Sequence, residues 1–138
     1  MDFKYIESLN CRYRRQIGAD KIKIFSDIKK KHSAHAVTAD VNIAETAKAA
    51  DFFRADGVII TGSSTGDPAS PDELIQVAAA VSPLDIFIGS GITAENLGEF
   101  RTATGLIIGT YFKQGGDWRN ALDRQKIFDI VSLSKELI

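Results

Sequence analysis

The chain has few of the residues that mark a specialised class of protein. Its one cysteine, Cys11, cannot form an internal disulfide, and no cysteine or histidine spacing predicts structural zinc. With 17 basic and 18 acidic side chains, it has no excess positive charge for nucleic acid or an anionic membrane. No apolar run approaches the roughly 18 residues that cross a bilayer, and the first residues of the sequence lack the apolar core of a secretory signal. We therefore expect a soluble, cytoplasmic protein. If the chain begins inside a longer protein, any organelle-targeting segment would lie outside it, so an organelle is the alternative location.

The remaining composition, 44% hydrophobic and 25% charged over 138 residues, is typical of a single globular domain. Patterns of apolar residues, caps and glycines predict that residues 1–20 contain the late part of an amphipathic helix, which Gly18 ends, and that four strand–helix units follow. The strands are predicted over 21–27, 57–61, 85–89 and 105–109, and the helices over 42–55, from Ser70, from Thr93 to about 100, and over 123–137. Ser70, Pro71 and Glu73 are typical of a capping box. This alternation predicts a parallel sheet.

The number of units predicts part of a barrel. A complete (β/α)₈ barrel takes about 250 residues, or roughly 31 per unit, so this chain holds about four units. We predict one partial domain, the C-terminal half of a TIM (β/α)₈ barrel, with a small flavodoxin-like open parallel sheet as the alternative. Half a barrel leaves two strand edges and an apolar face uncovered. We therefore expect a partner, either a second copy of the chain or the missing N-terminal half-barrel.

Functional loops of such sheets follow the strands, and the first strand is followed by candidate acid/base groups. Alternation places Ile22 and Ile24 under the helices and Lys23 and Asp27 on the lumen side near the mouth. Asp27 is a candidate for proton transfer or a structural ion pair. His32 titrates near neutral pH and is a second candidate. Lys29 to Lys31 is typical of a solvated charge run. His32 and His35 lack a clear third ligand, so we predict no metal.

The other three strands end in small or hydroxyl-bearing residues. Thr61 to Pro68 contains Gly62, Ser63 and Gly66 but lacks the lysine of a P-loop, so nucleotide hydrolysis is not indicated. The turns Gly89-Ser90-Gly91 and Gly109-Thr110 follow the last two strands. In barrels, the loops after strands seven and eight often bind phosphate through backbone amides. We predict an anion site there, over which Lys113 could close, and no cofactor.

Several segments together resemble the BtpA family, and the resemblance covers nearly the whole chain. They are 12–20, 31–33, 55–66, 88–93 with Glu95-Asn96, and 107–110 with Phe112-Lys113. The resemblance implies a ribulose-phosphate-binding type of barrel roughly twice this length, whose first four units are missing here. It also implies lumen or phosphate positions at Asp27, Lys31, His32, Thr61, Ser63, Gly91, Gly109 and Thr110.

Three functions are compatible with these features. The first is an enzyme acting on a phosphorylated small molecule, a sugar or nucleoside phosphate, with Asp27, His32 and Lys31 as candidate catalytic residues. The second is a non-catalytic assembly or stability factor, because the family takes its name from photosystem I biogenesis. The third is a non-enzymatic half-barrel that dimerises.

Overall fold

A computed structural model of the chain describes residues 3–29, 41–62 and 67–137, which form an α/β fold. Its α-helices are α1 (Phe3–Gln16), α2 (Ile43–Phe52), α3 (Pro71–Val81) and α4 (Arg124–Leu137). Its strands are β1 (Phe25–Asp27), β2 (Gly57–Ile60), β3 (Asp85–Ile88) and β4 (Gly105–Leu106). Short 3₁₀ helices occupy Leu97–Phe100, Thr110–Phe112 and Gln114–Gly116. No helix within the described ranges has the length and apolar character needed to span a membrane. The predicted alternation of strands and helices is confirmed.

The described strands form one parallel sheet in the order β1-β2-β3-β4. Spatial order follows chain order, so these strands show no reversal of the kind found in a flavodoxin-like sheet. Such a sheet is consistent with half of a barrel or with an open parallel sheet. In either case, the carboxyl ends of all four strands lie at one edge.

One face of the sheet packs against the helices. Alternate strand residues, including Val58, Ile60 and Ile88, are buried there in one cluster with apolar residues of α2 and α3. Leu74 and Val77 lie on the buried side of α3, as the predicted helix requires. Because burial alternates along β3, the other residues of the strand face away from the helices.

The opposite face of the sheet is apolar but less covered. The Phe25 and Phe87 rings lie there edge to face, with centroids 4.8 Å apart. A Cβ atom at Gly57 would come within 2.5 Å of Phe25, and one at Gly105 within 2.5 Å of Phe87. The two glycines therefore leave room for the two rings on this face.

Strand β1 is shorter than predicted. Residues 19–22 form a turn, in which the Ile22 amide donates to the Ala19 carbonyl (3.0 Å). Ile22 is consequently 63% exposed, and the prediction that it packs under the helices is wrong. Lys23 is also exposed, and its ammonium group lies 3.6 Å from the Asp85 carboxylate, at the amino end of the sheet rather than the mouth.

Helices α1 and α2 end in the same way. The amide three residues past each helix end donates to a carbonyl five residues earlier, Ala19 to Arg14 (2.9 Å) and Ala55 to Ala50 (3.1 Å). This Schellman arrangement requires a left-handed residue, which is usually glycine. Gly18 takes that position after α1 (φ 69°), as predicted, whereas Arg54 takes it after α2 (φ 67°).

The predicted helix starts are partly confirmed. The Ser70 hydroxyl accepts from the Glu73 amide (3.5 Å), but the Glu73 carboxylate binds the Lys29 ammonium (2.7 Å) instead of closing the capping box. Lys29 is therefore not part of a solvated charge run. The short helix expected from Thr93 begins at Leu97 and is a 3₁₀ helix.

The final helix exposes two residues that were predicted to lie on its apolar side. Phe128 is 68% exposed and Val131 is 45% exposed, whereas Ile130 is buried in the core. A single helix in contact with one short segment of core can bury only one stripe of its surface. The apolar side of α4 is therefore narrower than the sequence pattern predicts.

An ion pair between α1 and the residues before β2 predicts sensitivity to acid. Burial opposes ionisation of Asp56, but the Ile24 amide (2.7 Å) and the Arg14 guanidinium donate to its carboxylate and hold its pKa below the usual value. A lowered pKa stabilises the fold above about pH 4, and this contribution is lost as the pH falls below that value. We expect Asp56→Asn to lower stability at pH 7 and to flatten the acid limb of stability against pH, measured by urea unfolding. An unchanged acid limb, or an equal effect of Asp51→Asn, would contradict this role.

Candidate functional site

The carboxyl-end edge of the sheet carries the residues predicted to bind a ligand. Asp27 ends β1, Thr61 follows β2, and the turn at Gly89 follows β3. The turn at Gly109 follows the short β4. Because the four strands are parallel, their loops all lie at this edge.

A cavity of about 340 Å³ opens between the last two of these loops. Both glycine turns line it, together with one basic side chain of α4. The lining consists of Gly89–Thr93, Ile107–Tyr111, Gly116 and Lys126. The structure therefore brings together the two turns that the sequence places on consecutive units. We call this space the carboxyl-end cavity.

The turn at Gly91 is fixed by its own geometry and by Asn96. Gly91 has a φ of 71°, and a Cβ atom there would lie 2.1 Å from the Pro68 Cα atom. The Asn96 side chain donates to the Gly91 carbonyl (2.8 Å) and accepts from the Thr93 amide (2.8 Å). The turn is therefore held in place before any ligand arrives.

Several amide N–H groups beside the cavity are available to a ligand. Within the part of the chain that the structure describes, those of Gly91, Gly109 and Thr110 donate no hydrogen bond. Gly109 precedes the 3₁₀ helix Thr110–Phe112, as in barrels whose phosphate site includes a short extra helix. A Cβ atom at Gly109 would meet nothing within 4 Å, so this turn is not tightly packed.

The Ser90 hydroxyl was predicted to contact a ligand, but it forms hydrogen bonds within the protein. Ser90 is 8% exposed; its Oγ accepts from the Gly62 amide (2.7 Å) and donates to the Asp67 carbonyl (2.9 Å). The side chain therefore fastens the loop after β2 to the end of β3. Only the backbone of Ser90 remains for the cavity.

Lys126 is the basic residue of the cavity that the sequence reasoning missed. It is half-buried in the first turn of α4, and its ammonium group lies 4.9 Å from the centroid of the Tyr111 ring. Lys113, which was expected to close over an anion, does not line the cavity. The cap at Asp123, whose carboxylate accepts from the Lys126 amide (3.3 Å), is the sequence signal that fixes where this turn begins.

One carboxylate shares the surroundings of Lys126. The Thr93 hydroxyl, the Glu95 backbone amide and the charge of Lys126 together hold the pKa of the exposed Glu95 below its usual value. Lys126 therefore interacts with an ionised carboxylate and an aromatic ring, and its ammonium remains beside the glycine turns.

The edge near β1 carries a hydrogen-bonded group around Asp27. The Asp27 carboxylate accepts from the Lys29 amide (3.1 Å) and the Thr61 hydroxyl (3.4 Å). Thr61 is 4% exposed, and its one hydroxyl proton is shared between Asp27 and the nearer Lys29 carbonyl (2.8 Å). Asp27 is thus positioned at the predicted edge, whereas the hydroxyl of Thr61 serves the protein itself.

Three predicted site residues, Lys31, His32 and Ser63, lie outside the described residues, as does His35. Among the residues that are described, no three histidine, cysteine or acidic side chains lie close enough together to hold a metal ion.

Comparison with known proteins gives the family. The family model described as the BtpA family matches residues 6–136. The chain belongs to the BtpA family. This confirms the resemblance identified from the sequence segments.

Relatives in the BtpA family are longer than this chain. An uncharacterized mitochondrial protein of Caenorhabditis elegans is 55% identical over 84% of this chain and 42% of its own length. A protein of Pyrococcus abyssi is 35% identical over 85% of this chain and 44% of its own length. The photosystem I biogenesis protein BtpA of Synechocystis is 29% identical over 91% and 43%. The chain thus spans less than half the length of these relatives. No solved structure matched it.

Proposed function

We propose that the chain supplies the C-terminal half of a (β/α)₈ barrel and that its carboxyl-end cavity binds the phosphate group of a small phosphorylated molecule. One observation carries this proposal: both glycine turns and Lys126 line the same cavity. The position of the cavity, after the last two strands of the described sheet, is the usual place for phosphate in such barrels.

The groups around the cavity suit a phosphate. Backbone N–H groups at Gly91, Gly109 and Thr110 are donors, and phosphate oxygens are strong acceptors. Lys126 adds a positive charge on one side, which strengthens hydrogen bonds to an anion. A cavity of about 340 Å³ has room for more than the phosphate and lies at the lower end of the range for small-ligand pockets.

Asp27 is the described residue best placed to take part in a reaction. It ends β1, and two strand spacings, about 10 Å, separate β1 from β3. A phosphate held between β3 and β4 would leave the rest of a small sugar or nucleoside phosphate over β1 and β2. The acid/base roles of Asp27, His32 and Lys31 stay predictions.

The less covered face of the sheet, which carries Phe25 and Phe87, supports the proposal that a second half-barrel packs against this chain. Phe25, Ile59 and Phe87 are only partly buried there, and Ile107 beside them is 48% exposed. A second half-barrel would cover these side chains and pair the two edge strands. The relatives are long enough to contain such a half within one chain.

A second candidate function rests on the name of one relative. The Synechocystis relative is called a photosystem I biogenesis protein. By analogy, this chain would assist the assembly or stability of another protein without catalysis. The Caenorhabditis elegans relative is named as a mitochondrial protein, so mitochondria are the alternative to the predicted cytoplasm. Loss of function on substitution of Asp27 would favour an enzyme over an assembly factor.

Replacing Lys126 tests the phosphate proposal. We expect Lys126→Gln to weaken binding of inorganic phosphate and ribose 5-phosphate by about 10- to 100-fold, because one charge-assisted hydrogen bond is lost. The measurement is an NMR or calorimetric titration at fixed ionic strength. Lys48→Gln is the matched control, since Lys48 lies exposed on α2 and pairs with Glu45. Equal phosphate affinity in all three proteins, or no saturable binding to any, would refute the proposal.

A further inference from the structure

A second cavity lies at the other end of the sheet and belongs to a different set of residues. It has a volume of about 790 Å³ and lies between the ends of α1 and α2. Arg54, which follows α2, comes three residues before β2, so this cavity is at the amino ends of the strands. We call it the arginine cavity.

The lining of the arginine cavity is strongly cationic. Four of the chain's 17 basic residues, Arg12, Arg14, Arg15 and Arg54, line it, with one carboxylate, Asp20. Arg14 is neutralised by Asp56. In the described ranges, the other three guanidinium groups form no ion pair. The local excess of positive charge contrasts with the net charge of −1 of the whole chain.

Helix ends alone do not account for this charge. Arg14 and Arg15 lie in the last turn of α1, where a helix dipole favours cations. A helix C-terminus carries only about half an elementary negative charge. Two such ends and Asp20 therefore offset only part of the charge of Arg12, Arg15 and Arg54.

Arg54 has a backbone conformation that glycine would adopt more easily. It is left-handed (φ 67°) at the position where Gly18 ends α1 with nearly the same angle (φ 69°). Helix termination therefore does not require an arginine there. Strained residues of this kind often lie at binding sites.

An exposed aromatic ring completes the cavity. Phe52, two residues before Arg54, also lines the cavity and is 79% exposed. Arginine guanidinium groups bind phosphates through paired hydrogen bonds, and an exposed ring offers a face on which a flat base can stack. The volume lies within the usual range for ligands of this size.

We propose that the arginine cavity is a nucleotide site, which binds a nucleoside triphosphate with its phosphates on Arg12, Arg15 and Arg54 and its base against Phe52. This site is separate from the carboxyl-end cavity. It involves no phosphoryl transfer, and it does not depend on the proposed phosphate site.

Titration of the full chain with ATP tests the nucleotide site. We expect the double variant Arg12→Gln/Arg15→Gln to bind ATP at least about tenfold more weakly. Arg54→Gly should also weaken ATP binding while keeping or raising the melting temperature, because glycine suits the left-handed position. If Arg54 had only a structural role, the change in ATP binding would follow the change in melting temperature. Arg119→Gln, which removes an exposed arginine elsewhere, should change nothing.

Two further variants locate the ligand. Tripolyphosphate lacks the base, so Phe52→Ala should weaken binding of ATP but not of tripolyphosphate. Lys126→Gln should leave ATP binding intact. The proposal is overturned if ATP does not bind saturably at millimolar concentration, or if the arginine variants bind as tightly as the parent chain. It is also overturned if Lys126→Gln alone abolishes binding, since that result would place the nucleotide in the carboxyl-end cavity.

Discussion

Gly91→Ala should destabilise the protein by about 2–4 kcal/mol and abolish phosphate binding. An alanine with φ near 71° is strained, and its methyl group would lie 2.1 Å from the Pro68 Cα atom. The contact is with backbone, so a side-chain rotation cannot relieve it. The turn must therefore move, and with it the amides beside the cavity. Urea unfolding followed by circular dichroism measures the first effect, and phosphate titration measures the second.

Gly109→Ala is the matched control for the second glycine turn. Gly109 has a negative φ, and its Cβ position is open, so we expect a change in stability within about 1 kcal/mol. Similar losses for the two variants would show that the packing at Gly91 does not explain the effect. Full phosphate affinity in a folded Gly91→Ala protein would exclude the turn from the site.

Phe100→Ala should cost about 3–5 kcal/mol in the free energy of unfolding. Phe100 is 2% exposed and belongs to the same core cluster as Ile88 and Leu97. Its 3₁₀ helix contacts both α3 and α4, so the vacated space lies where three elements meet. Removal of the ring leaves a cavity that neighbouring side chains fill only in part.

Phe128→Ala provides the comparison for Phe100→Ala, because the same atoms are removed from a ring that is 68% exposed. We expect a change within about 0.5 kcal/mol. Urea unfolding of the parent chain and the two variants gives both changes in the free energy of unfolding, provided that the three curves share one dependence on urea concentration. If Phe100→Ala unfolds with the same midpoint as Phe128→Ala, the buried position assigned to Phe100 is wrong.

Local patterns predicted most of the fold. Ser70 and Pro71 identify the start of α3, Gly18 identifies the end of α1, and β2 and β3 read as short apolar runs. These signals depend on residues within one turn or one strand, so tertiary contacts do not override them. The parallel sheet then follows from the alternation of elements.

The errors in the fold have tertiary causes. Strand β1 was predicted from Lys21 because isoleucines alternate there, but the turn at residues 19–22 exposes Ile22. The Glu73 carboxylate was expected to bond within its own helix, whereas Lys29, 44 residues away along the chain, binds it instead. Periodicity contains no information about such distant partners.

The sequence predicts which loops form the site, but it does not predict which side chains of those loops face the cavity. Chain order alone placed the turns at Gly89 and Gly109 beside each other. It could not show that the Ser90 and Thr61 hydroxyls bond within the protein, nor that Lys126 rather than Lys113 lines the cavity. The two hydroxyl contacts depend on how the segments after β1 and β2 meet the end of β3, and the position of Lys126 depends on how α4 packs. Local sequence patterns contain no information on either arrangement.

The two hydrogen bonds of the Ser90 hydroxyl fix both ends of the segment after β2. Its oxygen, which lies just past the end of β3, hydrogen-bonds to Gly62 and Asp67, the two ends of the segment 62–67. Whatever residues stand between those ends, their junctions with the scaffold stay where they are. We therefore expect substitutions between Gly62 and Asp67 to leave the neighbouring turn at Gly91 in place.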